Sequence, residues 1–316
     1  MRDPFRIDGP AIINDSGGRT SGYMLRRILD AHDGVLPPDV HIAFANTGAE
    51  HEGTLMFLDE QARQWGVDVR WIERDRSTPA GFREVTYETA ARQCEPFDEL
   101  VMQRKFLPNA VMRFCTVDLK IKTAEAFMRA QGYERWTSVV GLRRDEPARV
   151  SKLRARDHGD WDVACPLYDA GVTVADVAAF WRAQPFDLTI GAHHGNCVGC
   201  FLKSTPKRRR IAEESPELLT WWASMEERIG ARFRKDGPSY ARLLADASAQ
   251  GRLHLRVVDD EADDLAACGC TDRRPARKSR CVCRARWAGG PHTLACAFQR
   301  ADEDAARRLP AAGRAA

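Results

Sequence analysis

No stretch of this chain approaches the roughly 20 consecutive apolar residues of a membrane-spanning helix, which argues against a helical anchor. The first residues, Met1 to Phe5, lack an apolar signal core, so a soluble, cytoplasmic protein is expected. A strong charge of one sign is missing too. The 48 Lys and Arg against 45 Asp and Glu leave +3, too balanced to imply nucleic-acid binding from net charge alone. No internal repeat is visible, so the chain is not read as an array of small units. What remains is ample for a core: 316 residues, 44% hydrophobic, read most simply as one α/β domain with an added C-terminal part. Two local basic clusters, Lys207-Arg208-Arg209-Arg210 and the stretch from Arg273 to Arg286, keep nucleic-acid contact open, although such runs are usually solvated surface.

The run Ile13-Asn14-Asp15-Ser16-Gly17-Gly18-Arg19-Thr20-Ser21 follows a short apolar segment and leads into Tyr23 to Leu29, which has helical spacing. Adjacent glycines let main-chain N–H groups approach an anion closely. The hydroxyls of Ser16, Thr20 and Ser21 add donors, Arg19 adds charge, and the helix N-terminus adds its positive dipole end. That combination is a phosphate cradle, and a nucleotide phosphate is the expected ligand.

Strands are expected at Ala11 to Asn14, His41 to Asn46, Val67 to Ile72, Thr137 to Leu142 and Asp162 to Cys165. Helices are expected at Thr20 to Ala31, Thr54 to Trp65, Asp118 to Gln131, Val172 to Trp181 and Pro216 to Ile229. Such alternation implies a doubly wound parallel sheet, Rossmann-like, with its ligand at the carboxyl ends of the strands. The segment from Asp75 to Asn109 is less regular and reads as a lid or substrate-binding loop. Trp181, Trp221 and Trp222 read as packing residues, and Ala301 to Ala316 as a mobile tail.

Further motifs are Asn46-Thr47-Gly48-Ala49-Glu50, Arg113-Phe114-Cys115-Thr116, Lys120-Ile121-Lys122 and the run from Gly141 to Arg149. Together and in this order they resemble the phosphoadenosine-phosphosulfate (PAPS) reductase family within the PP-loop, or adenine nucleotide alpha-hydrolase, superfamily. The resemblance runs from about Ala11 to about Phe201. It implies a PP-loop nucleotide-binding domain over 1–205 with an insertion at 75–116, a helical extension over 206–260 and a Cys-rich basic segment with a tail over 261–316. It also implies that Ser16, Gly17, Gly18, Arg19, Thr20 and Ser21 hold the phosphates of ATP or a PAPS-type nucleotide with Mg²⁺. Asn46, Thr47, Gly48 and Glu50 would flank the nucleotide, and Gly141, Arg143, Arg144 and Arg149 would close over phosphate or sulfate. The residue chemistry agrees, because Arg143, Arg144 and Arg149 are fixed cations suited to bidentate oxyanion contacts. Arg19-Thr20 stands where the superfamily often has Lys-Asp.

Ten cysteines in a chain expected to be intracellular favour metal or redox chemistry over a disulfide framework. Cys197-Val198-Gly199-Cys200 offers two thiolates to one centre, and Cys115 is the natural third ligand. A structural zinc, a redox dithiol or unrelated thiols fit a CxxC as well. In several PP-loop enzymes that transfer sulfur to tRNA, three cysteines hold a 4Fe–4S cluster with one iron open, and the pattern here is similar. Zn²⁺ is the alternative, and no metal the third. Cys94, Cys165, Cys268 and Cys270 are candidates for a fourth ligand. Adjacent His193 and His194 are candidate zinc ligands, although such a pair in a Gly-rich loop reads first as ordinary surface residues. Cys268, Cys270, Cys281 and Cys283 form two CxC pairs, with Cys296 beyond, and would suit a second zinc site.

Two reactions match the nucleotide site. In the first, ATP is cleaved to AMP and pyrophosphate to activate an acceptor for sulfur transfer, with Arg19, Arg143 and Arg149 stabilising charge. It needs a sulfur donor and an acceptor, which includes a nucleic acid. In the second, a PAPS or APS reductase, a cysteine thiolate attacks sulfate sulfur and a reductant regenerates it. The Glu-Cys-Gly-Leu-His type segment that carries this nucleophile in family reductases is missing. A third reading, supported by Thr20 in the loop, is a non-catalytic nucleotide-binding subunit of a nucleic-acid modification complex.

Overall fold

The computed structural model describes residues 3–195 and 197–249. Its six strands are β1 (Ala11–Asn14), β2 (Val40–Asn46), β3 (Val69–Arg74), β4 (Phe82–Val85), β5 (Trp136–Val140) and β6 (Trp161–Ala164). They form one sheet in the order β4-β3-β2-β1-β5-β6, parallel throughout except for the β3–β4 pair. The helices are α1 (Arg19–Ala31), α2 (Glu52–Trp65), α3 (Glu95–Arg104), a one-turn α4 (Phe114–Thr116) that runs through a π turn (Val117–Ile121) into α5 (Lys122–Ala130), α6 (Pro147–Arg154), the short α7 (Pro166–Asp169), α8 (Val174–Arg182), α9 (Thr205–Glu214), α10 (Thr220–Ile229) and α11 (Tyr240–Ala249). A 3-10 turn at Pro216–Leu219 precedes α10.

The central strands are apolar on both faces because helices cover both. Ile13 and Phe44 pack with Met24, Leu25 and Ile28 of α1, Leu58 of α2 and Trp181 of α8. Their chain neighbours Ile12 and Ala43 turn the other way, onto Phe127 and Met128 of α5, together with Ile72, Trp136 and Trp161. Residues adjacent in β1 thus serve opposite layers, as the period-2 pleat requires. The chain is a doubly wound, Rossmann-like α/β fold with a helical C-terminal region.

The segment from Asp75 to Asn109 is more regular than its sequence implies. Phe82–Val85 joins the sheet as an antiparallel edge, held by pairs of charged side chains, Arg83 to the buried Glu73 at 2.7 Å and Arg70 to Glu84. An edge strand with two apolar residues carries almost no periodic signal, which is why it reads as a loop. Beyond it, α3 contributes Phe97, Leu100 and Val101 to a third core shared with Phe114, Leu119, Val198, Phe201, Ile211, Trp222, Met225, Phe233, Tyr240 and Leu243. Insertion, CxxC loop and C-terminal helices therefore bury one another. Trp181 and Trp222 are fully buried, in keeping with packing roles.

The basic block is only partly a solvated face. Arg208 is 0% exposed within α9, its guanidinium 5.4 Å from the Tyr240 ring centre. Among the described residues no helix is long and apolar enough to cross a membrane. Cys268, Cys270, Cys281, Cys283, Cys296, the basic stretch from Arg273 and the Ala301 to Ala316 tail lie outside the described residues.

Candidate functional site

β1 is the point where the sheet order reverses: β2 lies on one side and β5 on the other. Loops at the carboxyl ends of two such strands diverge and leave a crevice between them. The Asn14 amide marks this junction by donating to Ser138 Oγ at 3.0 Å and to the Val139 carbonyl at 3.1 Å.

The phosphate-cradle sequence occupies the β1 side. Gly17 has φ +70°, and a Cβ there would lie 2.7 Å from Thr54 Cγ2, so this turn needs glycine. Gly18 caps α1, and the first-turn N–H groups of a helix have no intrahelical acceptor. Ser21 Oγ organises the turn from within: it donates to Asp15 Oδ1 at 2.7 Å and accepts from Ser16 N at 3.1 Å. Asp15 also accepts from Gly17 N at 2.8 Å, but its Oδ2 is buried without a partner. Burial pushes the Asp15 carboxyl up from its ordinary pKa, against the lowering by these hydrogen bonds. Asp15 belongs to the motif yet carries no role in the sequence reading. Its signal was its place directly before the serine and two glycines.

The arginines differ in placement. Arg143, 5% exposed, lies over the loop: its Nη1 donates to Thr20 Oγ1 at 3.0 Å and its Nε to Asp145 Oδ1 at 3.0 Å. Glu146 accepts from the Arg143 main-chain N–H at 3.1 Å and pairs with Arg149. Arg144 lies 5.4 Å from the Tyr168 ring centre. Arg19 forms a bidentate pair with Asp187 at 2.7 and 2.8 Å and donates to the Leu188 carbonyl, so its guanidinium is held by the segment after α8. The end of β5 approaches the loop closely, since a Cβ on Gly141 would sit 3.5 Å from Ser21 Cα.

At the end of β2, Asn46 donates to Glu73 at 2.6 Å and to the Ala91 carbonyl at 2.8 Å. Glu50 folds back to accept from Thr47 N at 3.0 Å and from Ala49 N at 3.1 Å, and pairs with Lys120 at 3.4 Å. This segment gathers the other motifs. Cys94 N donates to the Gly48 carbonyl at 2.8 Å and Val198 N to the Ala49 carbonyl at 2.9 Å. Gly48 has φ +75°, and a Cβ there would lie 2.9 Å from Cys94 N.

The CxxC loop is therefore fixed beside the end of β2. The Cys197 thiol donates to Cys200, which draws the Cys200 pKa below the ordinary thiol value, against burial and with help from the Leu202 amide and the charges of Lys203 and Arg113. The same contact and burial raise Cys197 well above the thiol range. Burial and the nearby Cys200 push Cys115 up to about 11. Cys115, Cys197 and Cys200 are thus electrostatic neighbours, and Cys94 acts on Cys197. Cys165 packs elsewhere, with Leu142 and Val150. In reduced, chelator-treated protein, iodoacetamide should label Cys200 at pH 7 at least ~10-fold faster than Cys115 or Cys197. The rate should rise with a midpoint below the ordinary thiol value, read by site-resolved mass spectrometry. A midpoint near the ordinary thiol value would overturn this assignment.

His193 and His194 are not surface residues. They are 6% and 7% exposed, and together with Glu214 they form a group whose ligand atoms all lie within 4.8 Å of one another. Burial, with the charges of His193 and His51, lowers the His194 pKa to about 4. Nothing local in the sequence links Glu214 to the histidines, because helix α9 brings it back from 20 residues away.

No protein-family model matches the chain. It is similar to a protein of Escherichia phage lambda described as the uncharacterized nin region protein ORF290, with 29% identity over 204 residues, 62% of this chain and 67% of the phage protein.

Proposed function

We propose that this chain is a PP-loop enzyme of the PAPS-reductase type that binds ATP and cleaves it to AMP and pyrophosphate, activating an acceptor oxygen for sulfur transfer. The observation that carries the reading is the meeting of the Ser16 to Ser21 loop with Arg143 at the topological switch point, the place where α/β sheets take nucleotides.

The residues have separable tasks. The start of α1 and the hydroxyls of Ser16 and Thr20 hold the leaving pyrophosphate. Arg143, pre-oriented by Asp145 and Glu146, meets developing negative charge without reorganising, which is the economical form of electrostatic catalysis. Asn46, Thr47, Gly48 and Glu50 form the opposite wall through their closed hydrogen-bond turn. The unpartnered Oδ2 of Asp15 is a hard oxygen donor of the kind that suits Mg²⁺, which when bound neutralises phosphate charge. Cys115, Cys197 and Cys200 would hold a thiolate-bound metal, the contact with Cys197 favouring the thiolate form of Cys200. Such a centre, iron–sulfur or zinc, would supply a soft site for sulfur.

Gly18 gives the decisive variant. Its φ of −105° and ψ of 163° are extended values that valine adopts readily, so Gly18→Val preserves the backbone while placing a branched side chain in the cradle. Folded Gly18→Val should lose ATP binding by calorimetry, and anaerobic wild-type protein should release pyrophosphate and AMP from ATP. Undiminished binding in the variant would sink the site. Consumption of phosphosulfate instead of ATP would replace the activity with a reductase, and binding without turnover would make the chain a nucleotide-binding subunit.

A further inference from the structure

We infer that His193, His194 and Glu214 form a divalent transition-metal site of the zinc type, separate from the thiolates of the CxxC loop and with one coordination position left for water or substrate. The donor atoms are already gathered. Glu214 Oε2 lies 2.6 Å from His193 Nε2 and 4.0 Å from His194 Nε2. Metal–ligand bonds of ~2.0–2.1 Å in tetrahedral geometry put donors about 3.3 Å apart, so the 2.6 Å pair must open and donors up to 4.8 Å apart must close by as much as about 1.5 Å to form a coordination shell. The Nδ1 of His194 is buried without a hydrogen-bond partner, an unusual expense for an imidazole that serves packing alone.

The surroundings fix the ligands in the way metal sites require. Glu214 divides its carboxylate: Oε1 accepts from Arg210 Nε at 2.7 Å, and Oε2 is left to the histidines. Lys203 Nζ donates to the His194 carbonyl at 2.8 Å and His194 N to the Gly191 carbonyl at 2.9 Å, which locks the loop. Gly191 permits the close approach, because a Cβ there would lie 2.4 Å from His193 Cε1.

A third imidazole, His51, stands 4.7 Å from His194 between ring centres. Its Nδ1 accepts the Gly53 N–H at 2.9 Å, so in the neutral ring the proton is on Nε2, which is then a donor and not a ligand. His51 is therefore a wall of the site, and His₂Glu coordination leaves the fourth position to an exchangeable oxygen.

The experiment is titration of reduced, metal-stripped full-length protein with Co²⁺ and Zn²⁺, comparing wild type with Glu214→Gln, His193→Ala and a thiolate-free variant that carries Ser at Cys115, Cys197, Cys200, Cys268, Cys270, Cys281, Cys283 and Cys296 and keeps only the buried thiols Cys94 and Cys165. The thiolate-free variant should keep one Co²⁺ equivalent that shows visible ligand-field bands and no thiolate charge-transfer band in the near ultraviolet. Glu214→Gln and His193→Ala should each lower affinity for that equivalent at least ~10-fold. Circular dichroism guards against misfolding, and the cobalt spectrum of the thiolate-free variant reads the ligand type even if a histidine variant fails to fold. Cobalt bound only through thiolates, binding unaffected by both histidine-site variants, or no equivalent in the thiolate-free protein would each overturn the proposal.

Discussion

Trp222→Ala is expected to cost about 3–5 kcal/mol, as removal of a large buried aromatic does, and to lower the melting temperature by on the order of 10 °C. The indole is 1% exposed and meets Phe97, Trp221, Phe233 and Tyr240 with ring centres 4.8 to 5.6 Å away. It also lies against the CxxC loop, where a Cβ on Gly199 would come within 2.1 Å of Trp222 Nε1. Tyr240 adds a hydrogen bond of 2.5 Å to the Gly199 carbonyl. Because α3, the CxxC loop and α9 to α11 share this core, the loss should appear as one cooperative transition in calorimetry, with faster alkylation of Cys200 alongside. A variant that melts like wild type would refute the shared core. A first transition unchanged beside a lost second one would show the C-terminal helices folding separately.

Arg143→Ala is expected to weaken ATP binding about 10- to 100-fold, the range for a buried, charge-assisted hydrogen-bond donor. Arg19→Ala should change it less than ~3-fold, because that guanidinium is half-exposed and held on Asp187 and the Leu188 carbonyl, whereas Arg143, though also paired with carboxylates, is buried and touches the loop hydroxyl of Thr20. The contrast is informative, since the two residues are equal candidates by sequence. Equal losses in both variants would return Arg19 to the phosphates and mean that the Asp187 pair opens on binding. An Arg143 variant with wild-type affinity would remove the carboxyl end of β5 from the site. Thermal melts separate the two causes, as Asp145 and Glu146 lose their partner in Arg143→Ala.

Strands buried on both faces and helices with a strong apolar stripe could be read directly, because both signals are local and periodic. Ile12-Ile13 and His41 to Asn46 have no room for any other structure between their turn residues, and the glycine pair after β1 announces a tight turn into a helix. Gly17 takes its positive φ within this short turn, although the side chain its missing Cβ makes room for, Thr54, lies on α2. What was illegible depends on partners far along the chain. Arg143 reaches Thr20 across 123 positions and Arg19 is claimed by Asp187 across 168, so no spacing rule separates them. Arg208 sits in a run that looks solvated, and only the packing of α9 against α11 buries it. The adjacent histidines are candidate zinc ligands by residue type alone, with no third donor in the local sequence. They acquire it when α9 turns Glu214 back onto their loop and the α2 cap adds a third imidazole, because a ligand set is a property of three-dimensional proximity and local pattern specifies only its elements.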